Sequence, residues 1–176
     1  MSEKWSITDI ATAHFATYRD GRTNKRRKSD YAAFIGLPII LGAIAALLRE
    51  FNYLKLYDVS KLVGGVGIFT GLLFGLLTNV FTLSLKLQRD EDLADHETTK
   101  SVKELFANVS WAVIVGLATV TLLVICSSVI DPKIPVPWAW TAALMAIFSH
   151  LILTVLMSLK RLWMAHSKIH LLPPKE

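Results

Sequence analysis

Charge is scarce in this sequence. Only 19% of its 176 residues are Asp, Glu, Lys or Arg, against about 25% in an average soluble domain. The deficit is concentrated in four uncharged apolar runs, 31–48, 62–85, 109–130 and 136–159, which together make up half of the chain. An uncharged apolar run of about 18 residues or more is long enough to cross the hydrocarbon core of a membrane as a helix. No stretch between or beside the runs is large enough to bury a core of its own. A soluble enzyme domain and a disordered regulator are therefore excluded. Cysteine is nearly absent too. The single thiol, Cys126, rules out an intramolecular disulfide and with it a secreted disulfide scaffold; it reads as a small core residue. The sequence also lacks a nucleophile–base arrangement, a phosphate-binding glycine loop and a zinc motif. Asp92 and His96 stand at i, i+4 spacing, but one His and no Cys do not make a metal site. Enzyme activity, a cofactor and a bound metal are not expected.

What remains is an all-α polytopic membrane protein with four transmembrane helices and helical extensions beyond the membrane. Residues 1–30 form an amphipathic helix and a basic segment, 31–160 the membrane domain with a hairpin at 86–108, and 161–176 a helical tail. Lysine and arginine set the orientation. Fifteen lie in 1–30, 86–108 and the tail from 160; Arg49, Lys55, Lys61 and Lys133 lie on the other side. The positive-inside rule then places both termini and the hairpin in the cytoplasm of a bacterial inner membrane.

Local signals add detail. Ser6 with Asp9, and Ser101 with Glu104, are capping-box patterns. Ile7, Ile10, Ala11, Phe15 and Tyr18 give a single apolar stripe, fit for a membrane surface or for other cytoplasmic helices. Ser29 or Asp30 can cap the first span. Pro38 inside that span predicts a kink. The loop 49–61 is short and partly apolar, as expected of a segment hugging the membrane surface. A proline-stiffened turn at 131–137 joins the third and fourth spans.

Three groups of residues could carry chemistry. Gly67, Gly71 and Gly75 form consecutive GxxxG steps, with Gly64 a turn earlier, and make a groove for close helix approach. The partner is either another subunit or another span of the same chain. Asn79 continues that face. His150 is the one ionisable residue inside an apolar run. Polar groups at membrane depth face a bundle interior or a water path, so Asn79, Thr82, His150 and Thr154 are candidates for a pore or gate; the bland alternative is interhelical hydrogen bonding. The third group is Tyr18, Arg19, Arg22, Lys25, Arg26, Arg27 and Lys28. Such a cluster serves as a topology and lipid signal, or binds an anion. Arginines beside aromatic rings suit the phosphates and bases of a single-stranded oligonucleotide. An acidic tip at 90–97 is its natural electrostatic counterpart.

Four spans, this basic N-terminal segment and no catalytic domain resemble the small membrane effectors of bacterial anti-phage systems. In plan the chain is similar to the Hailong type. That resemblance, which lies in overall architecture, implies a tetrameric ion channel guarded by single-stranded DNA that a partner nucleotidyltransferase makes. It makes the basic residues at 19–28 the expected DNA contacts and abortive infection by depolarisation the expected outcome. The alternatives are a non-conducting scaffold or assembly subunit that uses the glycine groove, and a holin-like lysis protein.

Overall fold

The computed structural model describes residues 7–18, 28–89 and 96–169. Among these the chain is all-helical: α1 (Thr8–Ala16), α2 (Lys28–Tyr31), a π-helical turn (Ala32–Gly36), α3 (Leu37–Glu50), α4 (Ser60–Arg89), α5 (His96–Val129) and α6 (Trp138–Ile169). Four segments are long and apolar enough to cross a membrane: Ser29–Glu50, Ser60–Leu87, Thr98–Val129 and Trp138–Met164. We read the chain as a four-span membrane protein on this ground.

Helices α4, α5 and α6 have 30, 34 and 32 residues. At 1.5 Å per residue they are about 45–51 Å long, well beyond a hydrocarbon core of about 30 Å. The excess lies at the end of the bundle that carries α1. The third helix starts earlier than its apolar run because 96–108 is continuous with it, so Ser101 and Glu104 stand inside α5 and not at its cap. The N-cap of α1 is Ile7, with no side-chain cap bond, and Ser6 lies outside the described residues. Ser29 and Asp30, the expected caps, both lie inside the described helix α2; the Ser29 hydroxyl donates to the Asp30 carboxylate at 3.4 Å.

Packing follows the order α4–α5–α6–α3, with α5 and α6 in the middle. Three apolar clusters fill the bundle from end to end. Val66, Leu123, Cys126 and Leu144 belong to the one farthest from α1. Leu73, Ala112, Val113 and Leu151 fill the middle. Val80, Val102, Leu105 and Val109 close the α1 end. Between membrane helices such contacts act chiefly through close packing. Two glycines allow the closest crossings. A Cβ added at Gly42 would lie 2.8 Å from the Ala142 carbonyl oxygen and 3.0 Å from the Ala146 Cβ, across the α3–α6 contact. One added at Gly116 would lie 2.6 Å from the Thr70 Oγ1, across α4–α5.

Pro38 sits in the first turn of α3, directly after the π turn. Proline has no N–H for the carbonyl four residues back, here that of Phe34. The wide π turn accommodates the ring, and the Phe34 carbonyl turns to a partner on α6. At the far end, Asn52 adopts a left-handed φ of 62°, which Asn tolerates better than most residues. The loop that follows packs into the bundle as well as along its surface: Leu56 and Val59 join the far cluster. The Leu56 carbonyl accepts the Val136 N–H at 2.8 Å, and Arg49 Nε donates to the Val136 carbonyl at 2.8 Å. The proline turn is thereby fastened to both α3 and the loop.

Candidate functional site: a buried polar node and an open glycine face

Four elements meet at the α1 end around a set of polar side chains. Helix α1 is nine residues long and turns His14, Thr17 and Tyr18 inward. His14 is fully buried and Tyr18 is 1% exposed, whereas Ile7, the first residue of the expected apolar stripe, is 52% exposed. The docking face of this segment is therefore largely polar. His14 Nδ1 donates to Asn108 Oδ1 at 2.8 Å, since an amide oxygen only accepts. Its Nε2 then accepts from the Tyr18 hydroxyl at 2.8 Å. The Thr17 hydroxyl lies 2.7 Å from the His14 carbonyl and 3.0 Å from Asn108 Oδ1. The His14 ring stacks on Trp111, with centroids 5.4 Å apart, and Tyr18 stacks on Phe34 at 5.2 Å.

The second half of the node lies deeper. Trp111 Nε1 can only donate, and it donates to His150 Nε2 at 3.0 Å. His150 Nδ1 therefore carries its proton and gives it to the Phe34 carbonyl at 2.8 Å. This is the carbonyl that Pro38 leaves without its helical donor. His150 so connects α5, α6 and the π turn, and its ring is half-buried. Arg161 closes the rim: one amino group pairs with Glu104 and the other donates to the Thr17 carbonyl at 2.9 Å. One buried polar atom among the described residues has no partner, the Asn108 Nδ2.

Burial holds the His14 imidazole down at about 4, opposed by the Asn108 bond and helped by the electrostatic influence of His150 and Arg161. At neutral pH it is uncharged, in keeping with the single-proton hydrogen-bond pattern. Burial also raises the Tyr18 phenol.

The expected site residues fall into separate places. Arg19, Arg22, Lys25, Arg26 and Arg27 lie outside the described residues, and of Lys28 only the backbone is described, as the start of α2. Most of the acidic tip, 90–95 with Asp92, lies outside them too. Tyr18 is enclosed by Tyr31 and Phe34, so a stacking base would first have to displace one of those rings. Thr154 is fully buried and donates to the His150 carbonyl at 2.8 Å. Thr82 is exposed and donates to the Thr78 carbonyl at 3.0 Å. His150 and Asn79 do not share a surface: the first is enclosed in the node, and the second projects outward from α4.

The glycine face is open. Gly64, Gly71 and Gly75 are exposed and Gly67 is half-exposed. A Cβ on any of the four would meet nothing within 4 Å. Asn79 continues this face, exposed, with no hydrogen bond to any described residue. Among the described residues the groove therefore has no occupant, and the close crossings lie elsewhere, at Gly42 and Gly116. Comparison with protein-family models, curated proteins and solved structures finds no match.

The node was legible only in part. His14 and Tyr18 at i, i+4, and Asn108 and Trp111 at i, i+3, each share a helix face. Pro38 signals a free carbonyl at Phe34. No sequence spacing connects 14 to 108 or 34 to 150. Removing the His150 side chain tests the deeper half. His150→Leu leaves an indole N–H and a backbone carbonyl unpaired, and because both are only part-buried the expected loss of stability is about 2 kcal/mol, the lower end of 1–3 kcal/mol for each orphaned group. Denaturation in detergent measures this, and His150→Gln, which can bridge both groups, should recover part of the loss.

Proposed function

We propose that this chain assembles as a homo-oligomer through the open face of α4 and forms an ion-conducting pore of the inner membrane, with both termini cytoplasmic. The observation that carries the reading is the outward Gly67–Gly71–Gly75–Asn79 face. An amide exposed to hydrocarbon is costly and marks a bundle interior or a water path. Copies meeting through the glycines would bring their Asn79 and Thr82 side chains together around an axis. A path inside one protomer has no support, since the apolar clusters fill the bundle. A tetramer is the assembly that the resemblance to anti-phage effectors implies. Control by an anionic oligonucleotide at residues 19–28, made by a partner nucleotidyltransferase, belongs to the same proposal. The basic segment directly joins α1 to the first span, so a ligand there would act on the node. The second reading, a non-conducting scaffold, is favoured by the same open face, because the groove would also fit a different membrane protein.

Reconstitution into planar bilayers separates the two. The pore reading expects single-channel currents that Asn79→Leu abolishes or reduces. Short single-stranded DNA added on the side of the termini should change the open probability, and the effect should be lost when Arg22, Arg26 and Arg27 are all changed to Gln. Binding of fluorescent DNA should weaken with salt with a log–log slope of about −0.7 per phosphate contacted. Wild-type protein that is oligomeric but silent under all these conditions would leave the scaffold.

A further inference from the structure

A cavity of about 480 Å³ opens at the α1 end between the residues just after α1, α2 and the π turn on one side and α5 and α6 on the other. Its polar wall carries Asp30, Glu104, Lys160 and Arg161, and its apolar wall includes Phe34, Leu153 and Met157. Two of the four charges are spent. Glu104 and Arg161 pair with each other, and Arg161 also holds the Thr17 carbonyl. The other two are not. Among the described residues Asp30 accepts only the long bond from Ser29, and Lys160 makes no ion pair or hydrogen bond with any of them. Asp30 and Lys160 line the same cavity without forming an ion pair with each other.

A cavity with one free carboxylate, one free ammonium and an apolar wall fits a zwitterion with a tail. The level in the membrane agrees. Asp30 is the second residue of the first span and Lys160 lies four residues before the end of the fourth, the depth at which phospholipid headgroups sit. We propose that this cavity binds a phospholipid whose headgroup carries a primary ammonium, of the phosphatidylethanolamine class. The ammonium donates to Asp30, the phosphate accepts from Lys160, and an acyl chain runs along Phe34, Leu153 and Met157. A primary ammonium is preferred over choline because only N–H groups can donate to the carboxylate. The bound lipid would join α2 to α6 beside the node, where α1 is also fastened. The inference rests on the chain spanning a membrane, and it holds for a monomer or an oligomer, pore or scaffold.

The experiment uses the full-length protein, stripped of lipid in detergent, with native mass spectrometry to count bound lipid. Palmitoyl-oleoyl phosphatidylethanolamine should bind about tenfold tighter than the phosphatidylglycerol or phosphatidylcholine of the same chains, the factor a charge-assisted hydrogen bond supplies. Asp30→Asn should remove that preference. Lys160→Gln, a change at an exposed position that the fold does not need, should weaken ethanolamine and glycerol lipids alike. Equal binding of the three lipids, or a preference that survives both substitutions, overturns the proposal. So does displacement of the lipid by equimolar glycerophosphoethanolamine, which would make the site one for a free solute. The same spectra report oligomeric state, so loss of the lipid site and loss of the assembly are read independently.

Discussion

Gly42→Leu is expected to break the fold, and Gly71→Leu to leave the fold intact and remove the proposed oligomer. Both positions are glycine in an apolar helix. The difference lies in what surrounds them. At Gly42 even a methyl group would meet the Ala142 carbonyl oxygen at 2.8 Å. Backbone cannot move aside as a flexible side chain does, so a leucine forces α3 off α6. Overpacking a filled site costs about 1–3 kcal/mol or more, and α6 is the only long helix that α3 packs against. At Gly71 the added side chain meets nothing within 4 Å, so the monomer gains a leucine that lipid solvates. If copies meet through this face, the same leucine blocks close approach. The check is size-exclusion chromatography and cross-linking beside thermal denaturation. Gly42→Leu should lower the midpoint or prevent folding, and Gly42→Ala should do so less severely. Gly71→Leu should keep the wild-type midpoint measured for dispersed monomer and lose the higher cross-linked species. Retention of all oligomers in Gly71→Leu would move the interface off α4 and remove the main support of the pore reading.

The contrast between these glycines also measures what a sequence can reveal. The four spans were legible because an uncharged run of sufficient length has few alternatives in water. The close crossings were not. A GxxxG spacing states that a groove exists, but the occupant depends on which helices become neighbours. Gly67, Gly71 and Gly75 carry the regular spacing and face outward, whereas the lone Gly42 and Gly116 make the contacts. The node was obscured for a similar reason. In α1 the apolar stripe drew attention to Ile7, Ile10 and Phe15, and His14 lay unmarked beside it. Asn108, 94 residues away, had no visible partner. A polar group becomes interesting when it is buried, and burial of α1 is decided by α5. His150 was visible as an ionisable residue at membrane depth; that it satisfies the carbonyl freed by Pro38 follows only once the π turn stands against α6.

Acid is expected to release α1, and the cause is His14. Its buried imidazole has a pKa of about 4, whereas an exposed one titrates near 6.5. Above about pH 6.5 the ring is neutral whether α1 is docked or free, and docking has its full strength. Between about 6.5 and 4 the released helix binds a proton that the docked helix cannot, so each unit of acidification favours release by about tenfold. From pH 6.5 to 4.5 the shift is about 40-fold, close to 2 kcal/mol. Below about 4 both forms are protonated and the loss levels off. The neighbouring groups act in the same sense: Arg161, paired with Glu104, and His150, bound to Trp111, both disfavour a cation at His14. Protonation would also put a hydrogen on Nε2, where the Tyr18 hydroxyl now donates, and leave that hydroxyl to find another acceptor. A nitroxide in place of Thr12, which is exposed on α1, reports the release as a mobile spectral component. That component should grow as pH falls from 7 to 4.5 and disappear again on return. His14→Gln preserves one donor and one acceptor but has no proton to gain, so its spectrum should not change over this range. An identical acid transition in His14→Gln would separate α1 docking from the charge state of His14 and overturn this account of the release.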